Sequence, residues 1–151
     1  MVLPITTITK SAEETKKLGE KFGHSLLVGE NATRPHIICL WGELGSGKTT
    51  FVQGVAKGLG MKERLLSPTF IIVRHYRISD QSRDVYHLDL YRISHEDDVV
   101  AIGFQDMIAD PHAIVIVEWP ERMGTLLPEK RVDIYFESLD NGHHSLRVSH
   151  G

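Results

Sequence analysis

The sequence predicts an α/β fold of three layers, with helices on both sides of a mixed β-sheet. Three observations predict it. Continuous apolar runs at 36–41 and 113–117 suit strands buried on both faces, as in a parallel sheet. Helical patterns alternate with these runs along the chain. Turn-rich stretches at 79–83 and 140–142 join neighbouring β-rich segments, which adds antiparallel pairs at the margins.

The elements follow in order. The first 35 residues read as a short strand, a helix and a turn. Ser11-Ala12-Glu13-Glu14 has the capping-box pattern, a hydroxyl followed three residues later by Glu. A helix is predicted from there to Phe22, with Gly23 near its end. After the apolar run 36–41, residues 49–58 read as a helix with Phe51, Val52, Val55 and Ala56 on one side. Residues 69–78 and 84–91 are β-rich and form a predicted hairpin. Ser94-His95-Glu96-Asp97 is a second capping pattern, opening a helical region to about Ile108 that Gly103 can break. Strands are predicted at 113–117, 131–137 and 145–149, the last two joined by a turn at Asp140-Asn141-Gly142.

A length of 151 residues suggests one domain over 1–151, long enough to bury a core without disulfides. The hydrophobic fraction of 41% and charged fraction of 25% are those of an ordinary globular protein. A net charge of −3 gives no whole-surface attraction for nucleic acid or anionic membrane, so any RNA contact is local or made through a partner. One cysteine, Cys39, sits inside an apolar run and reads as a small buried hydrophobe in a reducing compartment. There is no signal-peptide pattern and no apolar run near membrane-spanning length, so a cytoplasmic location with no membrane contact is expected.

Gly42-Glu43-Leu44-Gly45-Ser46-Gly47-Lys48-Thr49 fits G-x-x-x-x-G-K-[ST] at every specified position. Glycines let the loop amides converge on an anion, and the helix that follows adds its positive N-terminus. Lys48 carries a compact charge to β- and γ-phosphates, and the Thr49 hydroxyl is a hard ligand for Mg²⁺. In an empty loop Lys48 is expected to face solvent and touch only phosphate. The loop follows an apolar strand and opens a helix, so the fold is predicted to be P-loop NTPase-like, with ATP and Mg²⁺ as cofactors. No Asn-Lys-x-Asp guanine signature is present, which favours ATP over GTP.

Acidic partners for the metal sit at strand ends. Ile114-Val115-Ile116-Val117-Glu118 is an apolar strand ending in an acid, the Walker-B pattern with Glu; the plain alternative is a solvated Glu. Asp89 lies in Val85-Tyr86-His87-Leu88-Asp89-Leu90 and reads either as a metal ligand or as a surface carboxylate on an edge strand. Thr69, in Ser67-Pro68-Thr69, reads either as a switch residue reaching the γ-phosphate or as an ordinary turn before a strand. Trp119 follows Glu118 directly and reads either as a ring close to the site or as a core or surface aromatic. The nine histidines form no metal-binding spacing and read as surface or packing residues.

GELGSGKTT at 42–50, Ser67-Pro68-Thr69-Phe70, His87-Leu88-Asp89-Leu90-Tyr91-Arg92 and Val117-Glu118-Trp119-Pro120-Glu121 occur in this order and spacing. Together they resemble the TsaE (YjeE) family of small bacterial P-loop ATPases, over about residues 8–148 and with no departure at the motif positions. The resemblance implies a role in forming N6-threonylcarbamoyladenosine (t6A) at position 37 of tRNAs that read codons beginning with A. It implies that the chain binds and hydrolyses ATP–Mg²⁺ with TsaB and TsaD, that TsaD is the transferase, and that tRNA is met through the complex. It implies Lys48, Asp89, Glu118 and Thr69 as catalytic residues and Thr49, Asp89 and Glu118 as metal ligands. Glu43, Leu44, Gly45, Ser46, Gly47, Lys48, Thr49, Thr50 and Trp119 are the nucleotide-binding set. Two other readings stand beside it. One is a small-molecule or nucleoside kinase, for which the segment 119–130 leaves little room for a lid. The other is a non-catalytic nucleotide-dependent interaction module.

Overall fold

The computed structural model describes residues 5–27, 33–61, 72–78 and 83–150. They form one seven-stranded sheet with helices on both faces. The strands are β1 (Ile5–Thr9), β2 (His36–Trp41), β3 (Val73–Ile78), β4 (Arg83–Asp89), β5 (Ile114–Glu118), β6 (Val132–Ser138) and β7 (His144–His150). The helices are α1 (Ala12–Leu27), α2 (Lys48–Gly58), α3 (Glu96–Ala101) and α4 (Phe104–Ala109), with a 3-10 segment at Pro120–Leu126. The sheet order is β1-β7-β6-β2-β5-β4-β3. β2 pairs parallel with β5 and β6, and β4 with β5. The outer pairs β1–β7, β6–β7 and β3–β4 are antiparallel, so the mixed three-layer sandwich read from the sequence is the fold.

The alternation of side chains along each strand divides the interior into two cores. Ile38, Leu40, Val85, Ile114 and Ile116 face α1 and α2, where they meet Phe51, Val52 and Val55. Ile37, Cys39, Leu88, Val115 and Val117 face α3 and α4, where they meet Val99, Phe104 and Met107. Burial pushes the Cys39 thiol up to about 12, as befits an inert core residue.

Helices α1 and α2 lie unusually close. Gly19 and Gly23 of α1 face the carbonyls of Phe51 and Val55, while Gly54 and Gly58 of α2 face those of Lys16 and Glu20. A Cβ at any of the four would fall within 3.0 Å of backbone oxygen. This explains one departure from the sequence reading. Gly23 does not end α1; it is buried inside a helix that runs on to Leu27, because the glycine is needed for close approach rather than as a cap.

Other boundaries move for local reasons. Glu14 N–H donates to Ser11 Oγ at 3.2 Å, as a capping box requires, but the Glu14 carboxylate reaches back to Lys10 N–H at 2.6 Å rather than to Ser11. The second capping pattern is not used: α3 starts after His95 without a side-chain cap, and Glu96 instead accepts from Thr125 N–H and Oγ1. Those two bonds hold the Glu96 carboxyl below its usual range. Gly103, at φ 84°, divides α3 from α4. β4 stops at Asp89, short of Tyr91, because Asp89 Oδ1 accepts from Tyr91 N–H at 3.0 Å and turns the chain. Of the predicted turn at 79–83 all but Arg83, which opens β4, lies outside the described residues, as does the Ser67-Pro68-Thr69 segment. No helix among the described residues is long and apolar enough to cross a membrane.

Candidate functional site

A cavity of about 590 Å³ opens where the C-terminal ends of the central strands meet the N-terminus of α2. It is lined by the glycine-rich loop on one side and by the ends of β4 and β5 on the other. In open parallel sheets this is where ligands bind.

The loop side is set by backbone. Gly42, Gly45 and Gly47 have φ of 149°, 78° and 104°, values that side chains resist. Gly47 precedes α2 without a side-chain cap, so the first amides of the helix have no protein partner of that kind. Such an end attracts anions. Glu43, Leu44, Gly45, Gly47, Lys48, Thr49 and Thr50 all line the cavity, with Leu44 89% exposed at the loop tip. Ser46 departs from the expected set. It is buried, does not line the cavity, and its Oγ lacks a hydrogen-bond partner among the described residues. Its amide donates to Glu43 C=O inside the loop at 3.2 Å.

Lys48 also departs from expectation. Its residue is 5% exposed rather than solvent-facing. The ammonium donates to Gly42 C=O at 2.5 Å and stands 4.8 Å from the Trp119 ring centroid. A buried cation held by one carbonyl and an aromatic face is poised for an anion.

The acid side is set by register. Asp89 and Glu118 are directly paired across β4 and β5, and Leu90 N–H donates to Glu118 C=O at 3.1 Å. Val85, His87 and Asp89 share one face of β4, and Ile114, Ile116 and Glu118 share the same face of β5. That is the α2 face, which brings both acids to the loop. Burial raises the Asp89 carboxyl above its usual range, the Tyr91 amide opposes the shift, and the neighbouring Glu118 adds to it. Glu118 is buried and its Oε2 lies 2.7 Å from His87 Nε2. Trp119 then turns the chain at φ 59°, ψ 50°, the one non-glycine with positive φ among the described residues. Its ring lies 5.1 Å from that of Tyr91.

The sequence missed three neighbours of the site. His87, read as a packing residue, contacts Glu118. His144, at the start of β7, lines the cavity beside Gly47. Tyr91 lines it too. Only His87 carried a signal: it stands two residues before Asp89 and therefore on the same strand face. Thr69 cannot be placed, being outside the described residues. Among the described residues no cluster of three His, Cys, Asp or Glu side chains could hold a metal by itself. Two carboxylates beside an exposed Thr49 hydroxyl suit a hard cation that keeps water and phosphate oxygens as its other ligands.

Fold and site together define an α/β protein of the P-loop NTPase-like class, with a glycine-rich loop opposite two strand-end acids. Residues 9–146 match the family described as "Threonylcarbamoyl adenosine biosynthesis protein TsaE". The chain is 34% identical over 144 residues to tRNA threonylcarbamoyladenosine biosynthesis protein TsaE of Treponema pallidum, covering 94% of this chain and 98% of that one. The protein of the same name from Bacillus subtilis is 34% identical over 126 residues, covering 83% and 73%. A crystal structure of Bacillus subtilis YdiB superposes with a TM-score of 0.77 at 25% identity, over 100% of this chain and 88% of that one. The chain belongs to the TsaE family, named for tRNA threonylcarbamoyladenosine biosynthesis.

Proposed function

We propose that this chain is a P-loop ATPase that works with TsaB and TsaD in forming t6A on tRNA, supporting the transferase rather than being it. The observation that carries the reading is the convergence of the loop, the buried Lys48 ammonium and the paired Asp89 and Glu118 on one cavity. Bound ATP–Mg²⁺ would supply the γ-phosphoryl group. Lys48 would exchange the Gly42 carbonyl for a phosphate oxygen. Thr49, Asp89 and Glu118 would hold the cation, whose positive charge would favour the ionised Asp89 that burial, and to a lesser degree Glu118, now disfavours. Glu118 also orients the attacking water.

Phosphoryl transfer to water depends mainly on positioning and charge neutralisation. The described cavity lining supplies one cation, Lys48, so a docked partner has charge left to contribute. Hydrolysis is therefore slow alone and faster with TsaB–TsaD. The segment after β5 is a short 3-10 turn whose Arg122 donates to Ile93 C=O, which gives no support to a kinase lid.

The test follows modified adenosine in tRNA over several turnovers with TsaB–TsaD and either wild type or Lys48→Ala. Repeated rounds should need the intact lysine. Equal yields reject the role, and phosphorylation of a small-molecule acceptor by the isolated chain favours a kinase instead.

A further inference from the structure

His87 is the least expected polar group in the interior. It is 2% exposed, on a strand face otherwise filled by Val85 and the aliphatic side chains of β5. A buried imidazole needs partners, and this one has a single hydrogen bond, to Glu118 Oε2 at 2.7 Å. Among the described residues its Nδ1 is buried with none. Directly across β3–β4, Arg74 Nε is also buried without a partner. In either tautomer Nδ1 is left as an unmet polar atom among the described residues. Such an arrangement is retained at a cost in stability, which packing alone does not explain.

The geometry accounts for it. Glu118 is the last residue of β5, and the chain turns sharply at Trp119. A glutamate there has three side-chain torsions, enough to swing between the cavity and the core. Pairing in the sheet sets His87 opposite Ile116, two residues before Glu118 on the same face. From that place the imidazole reaches one carboxylate oxygen from below and leaves the other for the cavity that Glu118 lines.

We propose that His87 is the positioning residue of the acid pair: it holds Glu118 in the one orientation that presents a carboxylate oxygen beside Asp89. It touches no ligand and acts only through Glu118. This inference rests on the ATPase reading, and partners of metal-site carboxylates of this kind are worth about tenfold to a hundredfold in metal affinity or activity.

The experiment compares His87→Gln with His87→Asn. The glutamine amide nitrogen can reach the place of Nε2, whereas the asparagine amide stops near Nδ1, so the two differ in reach and little in polarity. Calorimetry measures the affinity of a non-hydrolysable ATP analogue with and without Mg²⁺, and turnover is read with TsaB–TsaD. His87→Gln should keep the Mg²⁺-dependent gain in affinity. His87→Asn should lose about tenfold or more of that gain and a similar factor in turnover, with Mg²⁺-free affinity and thermal midpoint close to those of His87→Gln. In a Glu118→Gln background, His87→Asn should add nothing. Equal behaviour of the two His87 variants overturns the proposal, as does a fall in Mg²⁺-free affinity alongside the Mg²⁺ term, or effects that multiply with Glu118→Gln. Failure of the ATPase reading shows differently, as wild-type protein that binds no nucleotide.

Discussion

The two walls of the cavity are built in opposite ways. The loop wall is backbone: glycines at positive φ, helix-end amides, and a seam where α1 and α2 approach through four glycines. Its chemistry comes from one contiguous stretch of sequence, 42–50. The acid wall is side chains: Asp89, Glu118, His87 and Trp119 come from strands about thirty positions apart and meet through register. The loop wall is fixed by what it lacks, namely Cβ atoms, and the acid wall by what it orients. Glycine substitutions on the first side should therefore fail by misfolding, and side-chain substitutions on the second by misplacement.

The largest effect should come from the glycine seam. Gly54→Ala puts a methyl within 3.0 Å of Lys16 C=O, so the helices must separate. We expect a loss of about 2–3 kcal/mol in urea unfolding. Gly45→Ala is the control: its φ of 78° is strained but nothing lies within 4 Å, so it should cost only about 1 kcal/mol. Equal costs would remove the seam as the support of the loop wall.

Lys48→Ala comes next and acts on binding. Loss of a charge-assisted contact should weaken a non-hydrolysable ATP analogue by about 1.5–3 kcal/mol, roughly tenfold to a hundredfold. The fold should persist, because the amine's one hydrogen bond is to Gly42 C=O. Calorimetric titration decides it, and unchanged affinity rejects the assignment of the loop.

The same contrast decides what could be read from the sequence. The loop was legible because its residues are consecutive and each has a backbone or charge task. Both cores were legible in outline from the apolar runs. Glu118 showed as an acid closing such a run. Asp89 was ambiguous, because an acid on a β-rich segment declares neither its face nor its neighbour; pairing with Glu118 supplies both. His144 is not legible because contact across strands leaves no spacing rule; His87 shares a strand face with Asp89, but nothing in the sequence pairs that face with Glu118. Gly23 was misread as a terminator because glycine serves both helix ends and close packing, and only the position of α2 distinguishes them. The exposure assumed for Lys48 failed because Trp119, 71 residues later, covers it.

Asp89 offers a smaller effect with a definite sign. Burial chiefly, and Glu118 next, raise its carboxyl above the usual 3.8. The folded state then holds a proton that the unfolded chain has released, so stability falls as pH rises through the window above 3.8, and the loss remains at neutral pH. Asp89→Asn keeps an acceptor for Tyr91 N–H and removes the charge. Because the group is half exposed, we expect it to be about 0.5 kcal/mol more stable than wild type at neutral pH after screening. The difference should vanish below the aspartate range. Unfolding midpoints from pH 3 to 8 test this, and a variant less stable than wild type at neutral pH contradicts it. Its Mg²⁺-dependent nucleotide affinity should fall all the same.

Trp119 gives the smallest and most local signal, and it reports on both walls at once. Its ring lies 4.8 Å from the Lys48 ammonium and 5.1 Å from Tyr91, while its backbone holds a left-handed turn directly after Glu118. When Lys48 engages phosphate, the charge over the indole moves, and indole emission responds to nearby charge. Trp41 also borders the loop in sequence but belongs elsewhere in space: its Nε1 donates to Asp133 at 2.8 Å and its ring stacks on Tyr135. A Trp41→Phe background therefore isolates Trp119 at the loss of one hydrogen bond remote from the cavity. Emission should change saturably with ATP or ADP, at the affinity calorimetry gives, and the midpoint should move with Lys48→Ala. Trp119→Phe should abolish the signal yet weaken binding by only about 0.5–1 kcal/mol, or roughly twofold to fivefold, because the phenyl ring keeps a weaker aromatic face at Lys48. A flat titration in the Trp41→Phe background separates Trp119 from the nucleotide. The acid wall would then stand apart from the event at the loop wall, and the comparison between them would lose its physical link.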